Sequence, residues 1–427
     1  MSGIFFAFFF LFAVLAVPIA FSLAAAGTVA IWLSSSPLPL TTIPQRMFAA
    51  VDSFPFLAIP FFILVGDMMS GSGITRRLVD LAASVVGAIH GGLAIITQVA
   101  GSMMDAMSGS SAASTAAMGS VMLPEMARQN YDKGWSAAVV AASGVTGVII
   151  PPSITAVVYG SVAGVSIGQL FMGGVLPGFM IVASMCILFA IQAKRRNYPK
   201  QEANRSIKGF TLSLRRSVLA LMIPMIVLGG IYGGIFTPTE AGAVTAVYTF
   251  IVGVFIYREL PLHKVWPLII RSAITTAAIM LVVAGANVLG FVVTFERVPQ
   301  AVAGFMLALS ENPTIIMMIL MLIFLLAGMF VTASAAVVIL APIVLPIVTS
   351  LGIDPIFFGV LAVVNLGIGT VTPPLGINLF IVSGIAKVPL DRVLREIWPV
   401  LAVLLFDLLI LMMFPQIVLF LPELMRN

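Results

Sequence analysis

Long apolar segments separated by short polar stretches make up most of the chain, and proline, glycine and serine interrupt many of the apolar segments. Several segments, such as residues 397–420, reach the roughly 20 apolar residues that an α-helix needs to cross the hydrocarbon core of a membrane. Apolar residues run on continuously instead of alternating as in the strands of a membrane β-barrel. The pattern therefore predicts an all-α polytopic membrane protein in which some helices are broken.

The interruptions recur at a fixed distance. Pro151-Pro152 and Pro373-Pro374 lie 222 positions apart. The same offset relates Ser110 to Thr332, Leu123-Pro124 to Leu345-Pro346, Gly147 to Gly369, Ser161 to Ser383, and Pro177 to Pro399. Further upstream, Gly66 and Gly71 match Gly285 and Gly290 at an offset of 219. Two halves with matching interruptions are the sequence sign of a secondary transporter whose binding site lies at the interruptions.

Composition narrows the class of protein. Hydrophobic residues account for 61% of the 427 positions and charged residues for 9%, which is too little charge to cover a water-exposed surface. The single Cys186 excludes a disulfide framework. The net charge of +5 does not indicate nucleic acid, because the basic residues concentrate in short loops between apolar segments. Since no phosphate loop, metal-spaced His-Glu pair or nucleophile elbow is found, the sequence predicts no enzyme.

Basic residues predict the orientation of each copy, because cytoplasmic loops are enriched in lysine and arginine. The strongest basic block, opposed by Glu202 alone, comprises Lys194, Arg195, Arg196, Lys200, Arg205, Lys208, Arg215 and Arg216. If this block is cytoplasmic, residues 164–169 lie outside and residues 128–134 inside. In the second copy the pattern reverses, since residues 349–355 lack Lys and Arg and residues 387–396 contain both. The two copies are therefore predicted to be inverted, with about five crossings each and about ten in total.

Each copy has one further segment that must enter and leave the membrane on the same side. We predict these two re-entrant hairpins at residues 93–126, turning near 108–111, and at residues 314–348, turning near 331–334. The crossing after each hairpin breaks at its Pro-Pro pair, because proline lacks the N–H and clashes with the preceding turn. Broken backbone is not tolerated facing lipid, so these stretches are predicted to line a binding site.

The chain divides into four parts on this interpretation. Residues 1–88 and 206–309 are predicted as two scaffold parts, each of which ends in an amphipathic connecting helix, at 75–86 and 296–309. Residues 89–205 and 310–427 are predicted as two transport parts, each with a hairpin and a broken helix. We call the scaffold parts together the frame, and the other two the transport unit.

Hydroxyls and small residues are dense at the hairpin turns and at the breaks. Unwound carbonyls, helix C-terminal ends and Ser or Thr hydroxyls are the ligands that transporters offer to sodium. We predict two pseudo-symmetric Na⁺ sites. The first consists of Ser108, Gly109, Ser110, Gly147, Val148 and Pro151, and the second of Thr332, Ser334, Gly367, Gly369, Thr372 and Pro373. The alternative is that these small residues only permit close packing of helices.

Half-helix N-termini present free N–H groups and a partial positive charge to an anionic substrate. Hydroxyls placed to assist them are predicted at Ser108, Ser110, Ser114, Ser153 and Thr155.

Acidic residues within apolar segments are few, and each is costly at mid-bilayer. They are Asp67, Asp105, Glu125, Glu240 and Asp407. Glu125 is predicted to pair with Arg128. Glu240 is predicted to satisfy free amides at a helix start after Thr237-Pro238. Asp105 has no assigned role.

Four stretches resemble a known family across nearly the whole chain. They are residues 233–243 with the sequence GGIFTPTEAGA, Ser108-Gly109-Ser110, Ile149-Ile150-Pro151-Pro152-Ser153 and Pro373-Pro374-Leu375-Gly376. They are similar to the large membrane subunit of tripartite ATP-independent periplasmic (TRAP) transporters. The chain departs from that pattern at Ser114, where relatives often carry Asp, so the choice among organic acids such as sialic acid or a C4-dicarboxylate stays open.

The resemblance implies an elevator-type ion transporter fold in the bacterial inner membrane and a sodium-driven importer of organic acids. It also implies a small four-helix membrane subunit and a soluble periplasmic substrate-binding protein as partners. Two alternatives remain: a self-sufficient symporter of the divalent-anion group, and a membrane subunit that assembles a complex without transporting.

Overall fold

The computed structural model describes residues 1–33, 38–86, 89–200, 207–310 and 312–425. Helices connected by short loops make up these ranges. Glu202 and Arg205 of the predicted cytoplasmic block, and the predicted boundaries at residues 88 and 205, lie outside the described residues. The structure confirms an all-α polytopic fold.

The first copy contains ten α-helices and two 3-10 segments in its described part. In chain order they are α1 (Ser2–Val14), α2 (Ile19–Leu33), α3 (Thr42–Val51), a 3-10 segment (Phe54–Leu57), α4 (Ala58–Gly71), α5 (Ile74–Val86), α6 (Gly92–Ser108), α7 (Ser111–Arg128), α8 (Lys133–Ser143), a second 3-10 segment (Val145–Val148), α9 (Ile154–Ala163) and α10 (Ile167–Arg195).

The second copy repeats most of this order. Its helices are α11 (Ile207–Tyr232), α12 (Pro238–Ile251) with a π-helical end (Val252–Ile256), α13 (Leu262–Phe295), α14 (Val298–Leu309), α15 (Pro313–Phe330), α16 (Ala333–Ser350), α17 (Pro355–Gly369), α18 (Ile377–Ala386), α19 (Leu390–Met413) and α20 (Pro415–Leu424). An offset of 222 places α7 on α16 residue for residue, and it places α9 on α18 within one residue.

Both predicted hairpins are confirmed. Helices α6 and α7 are joined by Gly109 and Ser110, and helices α15 and α16 by Val331 and Thr332. Both Pro-Pro pairs lie between half-helices, α8 and α9 in the first copy and α17 and α18 in the second. The connecting helices are present as α5 and α14.

The two predicted scaffold parts differ in one respect. In copy one, α3 ends at Val51 and the chain restarts through the 3-10 segment into α4, whereas α13 runs unbroken for 34 residues. Pro55 is the second residue of the 3-10 segment, and the residue 219 positions later, in copy two, is Ile274. A proline that cannot continue the helical ladder accounts for the break in copy one alone.

Length and composition do not by themselves separate crossings from hairpin arms. The part of the chain that the structure describes has eight helices long and apolar enough to cross a membrane, and two of them, α15 and α16, form the second hairpin. The corresponding arms in copy one, α6 and α7, fall below that threshold. Hydropathy alone therefore does not identify the hairpins, which are predicted by the repeat together with the inverted pattern of basic residues.

The predicted inversion can be checked by single-cysteine labelling after Cys186→Ser. Exposed residues at or near helix ends are available on both predicted sides: Lys133 and Arg395 inside, Ser166 and Ser350 outside. A membrane-impermeant maleimide added to spheroplasts, whose inner membrane is intact, is expected to label cysteines at 166 and 350 fully and to leave 133 and 395 unlabelled until the membrane is permeabilised. Labelling of 166 and 395 from the same side would contradict the inversion.

Candidate functional site

The turn of the first hairpin is built by two residues. Gly109 ends α6 in the left-handed conformation (φ 63°), which glycine adopts without steric cost, and its N–H donates to the Asp105 carbonyl at 3.1 Å. Ser110 is the N-cap of α7, since its hydroxyl accepts from the Ala113 N–H at 3.4 Å. One arm therefore ends and the next begins without an intervening loop.

This turn packs directly against the first Pro-Pro break. The Ile154 N–H donates to the Gly109 carbonyl at 3.4 Å, and a Cβ placed on Gly109 would lie 2.7 Å from the Pro152 carbonyl oxygen. No side chain fits between the two backbones. Glycine at position 109 is therefore what allows the hairpin turn to reach the broken helix.

The hydroxyls predicted to meet a substrate are mostly buried. Ser108, Ser114 and Ser153 are 0% exposed and Thr155 is 2% exposed, whereas Ser110 is partly exposed. Ser108 Oγ and Ser114 Oγ hydrogen-bond to each other at 2.7 Å. In this conformation Ser110 alone of the five keeps an accessible surface.

Ser153 satisfies the backbone at the first break. Its hydroxyl donates to the Val148 carbonyl at 2.5 Å and accepts from the Ala156 N–H at 3.1 Å, so that it caps α9. The Ile149 N–H donates to the Thr146 carbonyl at 2.9 Å. The break is thus held in shape by its own residues, as a buried interruption in a membrane must be.

The predicted ion residues Gly147 and Val148 lie between the hairpin and the second copy. A Cβ on Gly147 would be 2.7 Å from Asp105 Oδ1 and 2.9 Å from the Ser111 backbone nitrogen. A Cβ on Gly367 would be 2.8 Å from the Val148 side chain. The structure therefore brings residues of both predicted ion sites into one packed region.

Asn378 joins the two copies at this region. It is fully buried on α18, and its Nδ2 donates to Ser111 Oγ at 2.8 Å, to the Ala141 carbonyl at 3.2 Å and to Thr370 Oγ1 at 3.2 Å. Ser111 Oγ can in turn donate to Asn378 Oδ1 at 3.1 Å. The broken helix of copy two is thereby bonded to the hairpin of copy one.

Within copy two, the predicted residues are brought together only in part. Gly369 packs against α15, where a Cβ on Gly369 would lie 2.7 Å from the Gly328 backbone. Thr332 is exposed and Ser334 partly exposed, and in the described ranges neither side chain hydrogen-bonds to the second break. Thr372 Oγ1 donates to the Ile368 carbonyl at 2.7 Å.

The two breaks also differ in exposure. Pro151, Pro152 and Ser153 are buried, whereas Pro373 is partly exposed and Pro374 exposed. Leu375 is 45% exposed. The first break is closed by the surrounding protein in this conformation, and the second is open on one side.

Sequence reasoning missed Thr146, which lies one residue before Gly147. Its hydroxyl donates to Asp105 Oδ2 at 2.6 Å, and both residues are 0% exposed. A hydroxyl in an otherwise apolar run ahead of the Pro-Pro pair was the available signal.

The other four acidic residues also have partners. Glu125 pairs with Arg128 at 3.0 Å, and Glu240 forms the predicted helix-start contacts as part of a capping box with Thr237. Asp67 Oδ2 accepts from Ser272 Oγ at 2.7 Å, and Asp407 Oδ2 accepts from Ser184 Oγ at 2.5 Å. These carboxylates are accounted for as structural groups.

Ion pairs at the predicted inner face connect the two copies of the transport unit. Asp132 pairs with Arg392 at 2.5 Å, and Arg196 pairs with Glu396 at 2.5 Å. Partial burial disfavours the charged form of Asp132, but the Trp135 N–H and the Arg392 guanidinium together hold the pKa of its carboxyl below the usual value. Asp132 is therefore ionised at neutral pH, and the pair is formed there.

A cavity of about 660 Å³ separates α3 and α13 from α9 and α16. Its lining includes Ser53, Ser161 and Asn287, and its charged residue is Arg46. The Arg46 guanidinium lies over the Phe291 ring, 4.4 Å from the ring centroid. The cavity lies between residues assigned to the frame and residues assigned to the transport unit.

The bond between the copies predicts an energetic coupling. In a double-mutant cycle, Asn378→Ala and Ser111→Ala are expected to show a coupling free energy of about 1 kcal/mol in reversible unfolding, because each removes the other's partner in a buried network. Ser70→Ala is the control, since Ser70 Oγ bonds to the Gly66 carbonyl within α4. It is expected to be additive with Asn378→Ala. Equal coupling free energies for Asn378→Ala with Ser111→Ala and for Asn378→Ala with Ser70→Ala would contradict the network.

A solved structure shares this fold. The crystal structure of the YdaH transporter of Alcanivorax borkumensis superposes with a TM-score of 0.59 at 16% sequence identity, covering 95% of this chain and 97% of that chain. At this identity the likeness establishes the fold.

Relatives of known name are much closer in sequence. The isethionate TRAP transporter permease protein DctMQ of Oleidesulfovibrio alaskensis is 42% identical over 97% of this chain, and this chain spans 65% of its length. The C4-dicarboxylate TRAP transporter large permease protein DctM of Pseudomonas aeruginosa is 39% identical over 94% of both chains. The sialic acid TRAP transporter large permease protein SiaM of Vibrio cholerae is 36% identical over 89% of both.

The family of the tripartite ATP-independent periplasmic transporter, DctM component, matches residues 6–417. That range includes both hairpins and both breaks. Relatives of this kind are permeases of the bacterial inner membrane and not enzymes. The chain belongs to the DctM component family and is the large membrane permease of a tripartite ATP-independent periplasmic transporter.

Proposed function

We propose that this permease imports small organic acids, carboxylates or sugar acids, by coupling to sodium and moving as an elevator. Its partners are a small four-helix membrane subunit and a soluble periplasmic substrate-binding protein. The substrate class rests on permeases named for isethionate, C4-dicarboxylate and sialic acid, which are 36–42% identical to this chain. All three are organic anions.

An anion path is supported by the cavity beside Arg46. The guanidinium is the positive charge of a lining that otherwise offers neutral polar groups such as Asn287 and Ser161. Among the described residues no ion pair involves Arg46, so its charge is available to a carboxylate. A substrate in this cavity would lie beside α9, the half-helix that follows the first Pro-Pro break.

Sodium, as the co-transported ion, is supported by the two breaks and the hairpins that pack on them. The contacts of Gly109 with Pro152 and of Gly369 with Gly328 place bare backbone next to bare backbone inside the protein. Such sites supply neutral oxygens to an alkali cation. A bound cation that requires both the turn and the break in place would make sodium and substrate binding depend on each other.

The observation that carries the elevator proposal is the distribution of polar contacts between distant residues. Within the frame, Arg77 pairs with Glu259 at 2.5 Å and Arg271 with Asp67 at 3.6 Å. Within the transport unit, Arg392 pairs with Asp132, and Asn378 bonds to Ser111. Each of these contacts joins the two copies but stays inside one body.

Contacts across the boundary are of a different kind. Phe62 of the frame meets Phe171 of the transport unit edge to face at 6.3 Å. Gly66 on α4 packs against Ser108, where a Cβ would be 3.3 Å from the serine. The Thr75 hydroxyl reaches the Met104 sulfur at 3.7 Å, a weak bond. A boundary that carries few directional bonds among the described residues allows one body to slide past the other.

Reconstitution tests the proposal. Proteoliposomes that contain this chain and its small partner are expected to accumulate a labelled organic acid only when a sodium gradient and the purified binding protein are both present. Uptake with sodium alone would contradict the tripartite mechanism and favour a self-sufficient symporter. The absence of uptake across a broad panel of acids would instead favour an assembly subunit.

Two glycines offer a sharper prediction. Gly109→Val and Gly369→Val are expected to reduce sodium-stimulated uptake at least about tenfold, because each adds a side chain where backbone atoms lie 2.7 Å from the first added carbon. Membrane insertion, measured by fluorescence-detected size exclusion, is expected to be unchanged.

Gly384→Val on α18 is the matched control. A Cβ on Gly384 would meet nothing within 4 Å, and its backbone is helical. It is expected to transport at the wild-type rate. Equal uptake by all three variants would show that the close approaches at positions 109 and 369 are dispensable for transport.

A further inference from the structure

Asp105 is the buried acid that the fold leaves unexplained. It lies on α6, one turn before the hairpin turn, and is 0% exposed. Oδ2 accepts from the Thr146 hydroxyl at 2.6 Å. Oδ1 is buried and has no hydrogen-bond partner. A carboxylate removed from water with one free oxygen costs several kcal/mol unless a cation or a donor meets it.

Among the described residues, no hydrogen-bond donor meets Oδ1. Among the residues that the structure describes, no ion pair involves Asp105. The Ser114 hydroxyl is close enough to interact with the carboxyl group, and it also shares a hydrogen bond with Ser108 Oγ at 2.7 Å in which either oxygen can be the donor. The free oxygen instead faces backbone, since it lies 2.7 Å from where a Cβ on Gly147 would stand.

Other oxygens around the hairpin are also free. Thr115 Oγ1 is buried without a partner and lies beside Gly144, where a Cβ would be 2.0 Å from it. Gln98 Oε1, two turns before Asp105 on α6, is likewise buried and unpartnered. Buried oxygens without a protein partner are candidate ligands for a cation.

Copy two carries no such charge. The residue 222 positions after Asp105 is Ala327, on α15. The unpartnered buried side-chain oxygens in the described part of copy two are Thr249 Oγ1 and Asn365 Oδ1, and both belong to neutral groups. The two predicted ion sites therefore differ in charge.

We propose that Asp105 Oδ1 is a ligand of the sodium ion at the first site and makes that site electrically neutral when the ion is bound. The proposal rests on the sodium coupling inferred above. A neutral ion–carboxylate pair forms without substrate, whereas a cation among neutral ligands leaves a net positive charge that an anionic substrate offsets. Sodium therefore binds the copy-one site first, before the organic acid, and the copy-two site is completed with the substrate.

The test is sodium binding by the purified, substrate-free chain in nanodiscs, measured by sodium-dependent thermal stabilisation with choline as the replacing ion. Wild type is expected to be stabilised with a saturable dependence on sodium. Asp105→Asn keeps the size of the side chain and removes its charge, and it is expected to raise the apparent Kd at least about tenfold. Asp407→Asn, which neutralises a second buried acid on α19, is the control and is expected to bind as wild type.

Gly147→Ala provides a second test if Asp105→Asn does not fold. The added methyl abuts Oδ1 while the charge remains, so sodium affinity is expected to fall severalfold, with Gly384→Ala unchanged. Unaltered sodium affinity in a folded Asp105→Asn protein would overturn the proposal. The proposal would also be overturned if Asp105→Asn abolished the pH dependence of transport and left its sodium dependence unchanged, because Asp105 would then carry a proton.

Two measurements distinguish a failure of the proposed function from a failure of the role proposed for Asp105. If wild-type uptake in proteoliposomes is indifferent to sodium, the coupling itself is wrong, whatever Asp105 does. If uptake depends on sodium and Asp105→Asn leaves the sodium Kd unchanged, the coupling stands and the role of Asp105 is wrong.

Discussion

Inside a membrane every backbone N–H and C=O group needs a partner within the protein, and this requirement organises the whole molecule. Two hairpin turns and two Pro-Pro breaks release such groups within the predicted membrane region. The first turn and the first break satisfy each other through the bond from Ile154 to Gly109, and Asn378 ties both to the second copy. Regular helices need none of this, which is why the polar network concentrates where the helices stop.

The same requirement explains why the two copies interlock instead of packing side by side. The broken helix of copy two bonds to the hairpin of copy one through Asn378 and Ser111, and Arg392 pairs with Asp132 at the predicted inner face. The frame is tied across its copies separately, by Arg77 with Glu259 and by Arg271 with Asp67. These contacts join frame residues to frame residues and transport-unit residues to transport-unit residues, as the proposed division predicts.

Sequence alone predicted the hairpins closely: residues 93–126 were expected, and α6 and α7 span Gly92–Arg128. Proline and glycine interrupt a helix at their own positions, so these interruptions can be read from the chain directly. The contacts between copies were not predictable in this way. Nothing near Asn378 in the chain indicates Ser111 as its partner, since the pairing arises from how two inverted copies fold together. Burial of Ser108 and Ser114 was missed for the same reason, because exposure depends on tertiary packing.

The central claim is that the transport unit moves as one body against the frame. Spin labels at Ser350 in the transport unit and at Ile235 in the frame report between bodies, and labels at Ser166 and Ser350 report within one; all three positions are exposed. In pulsed dipolar measurements, adding sodium and loaded binding protein to the reconstituted complex is expected to shift the 235–350 distance distribution and to leave 166–350 unchanged. A shift in 166–350, or fixed distances in a complex that transports, would contradict the account.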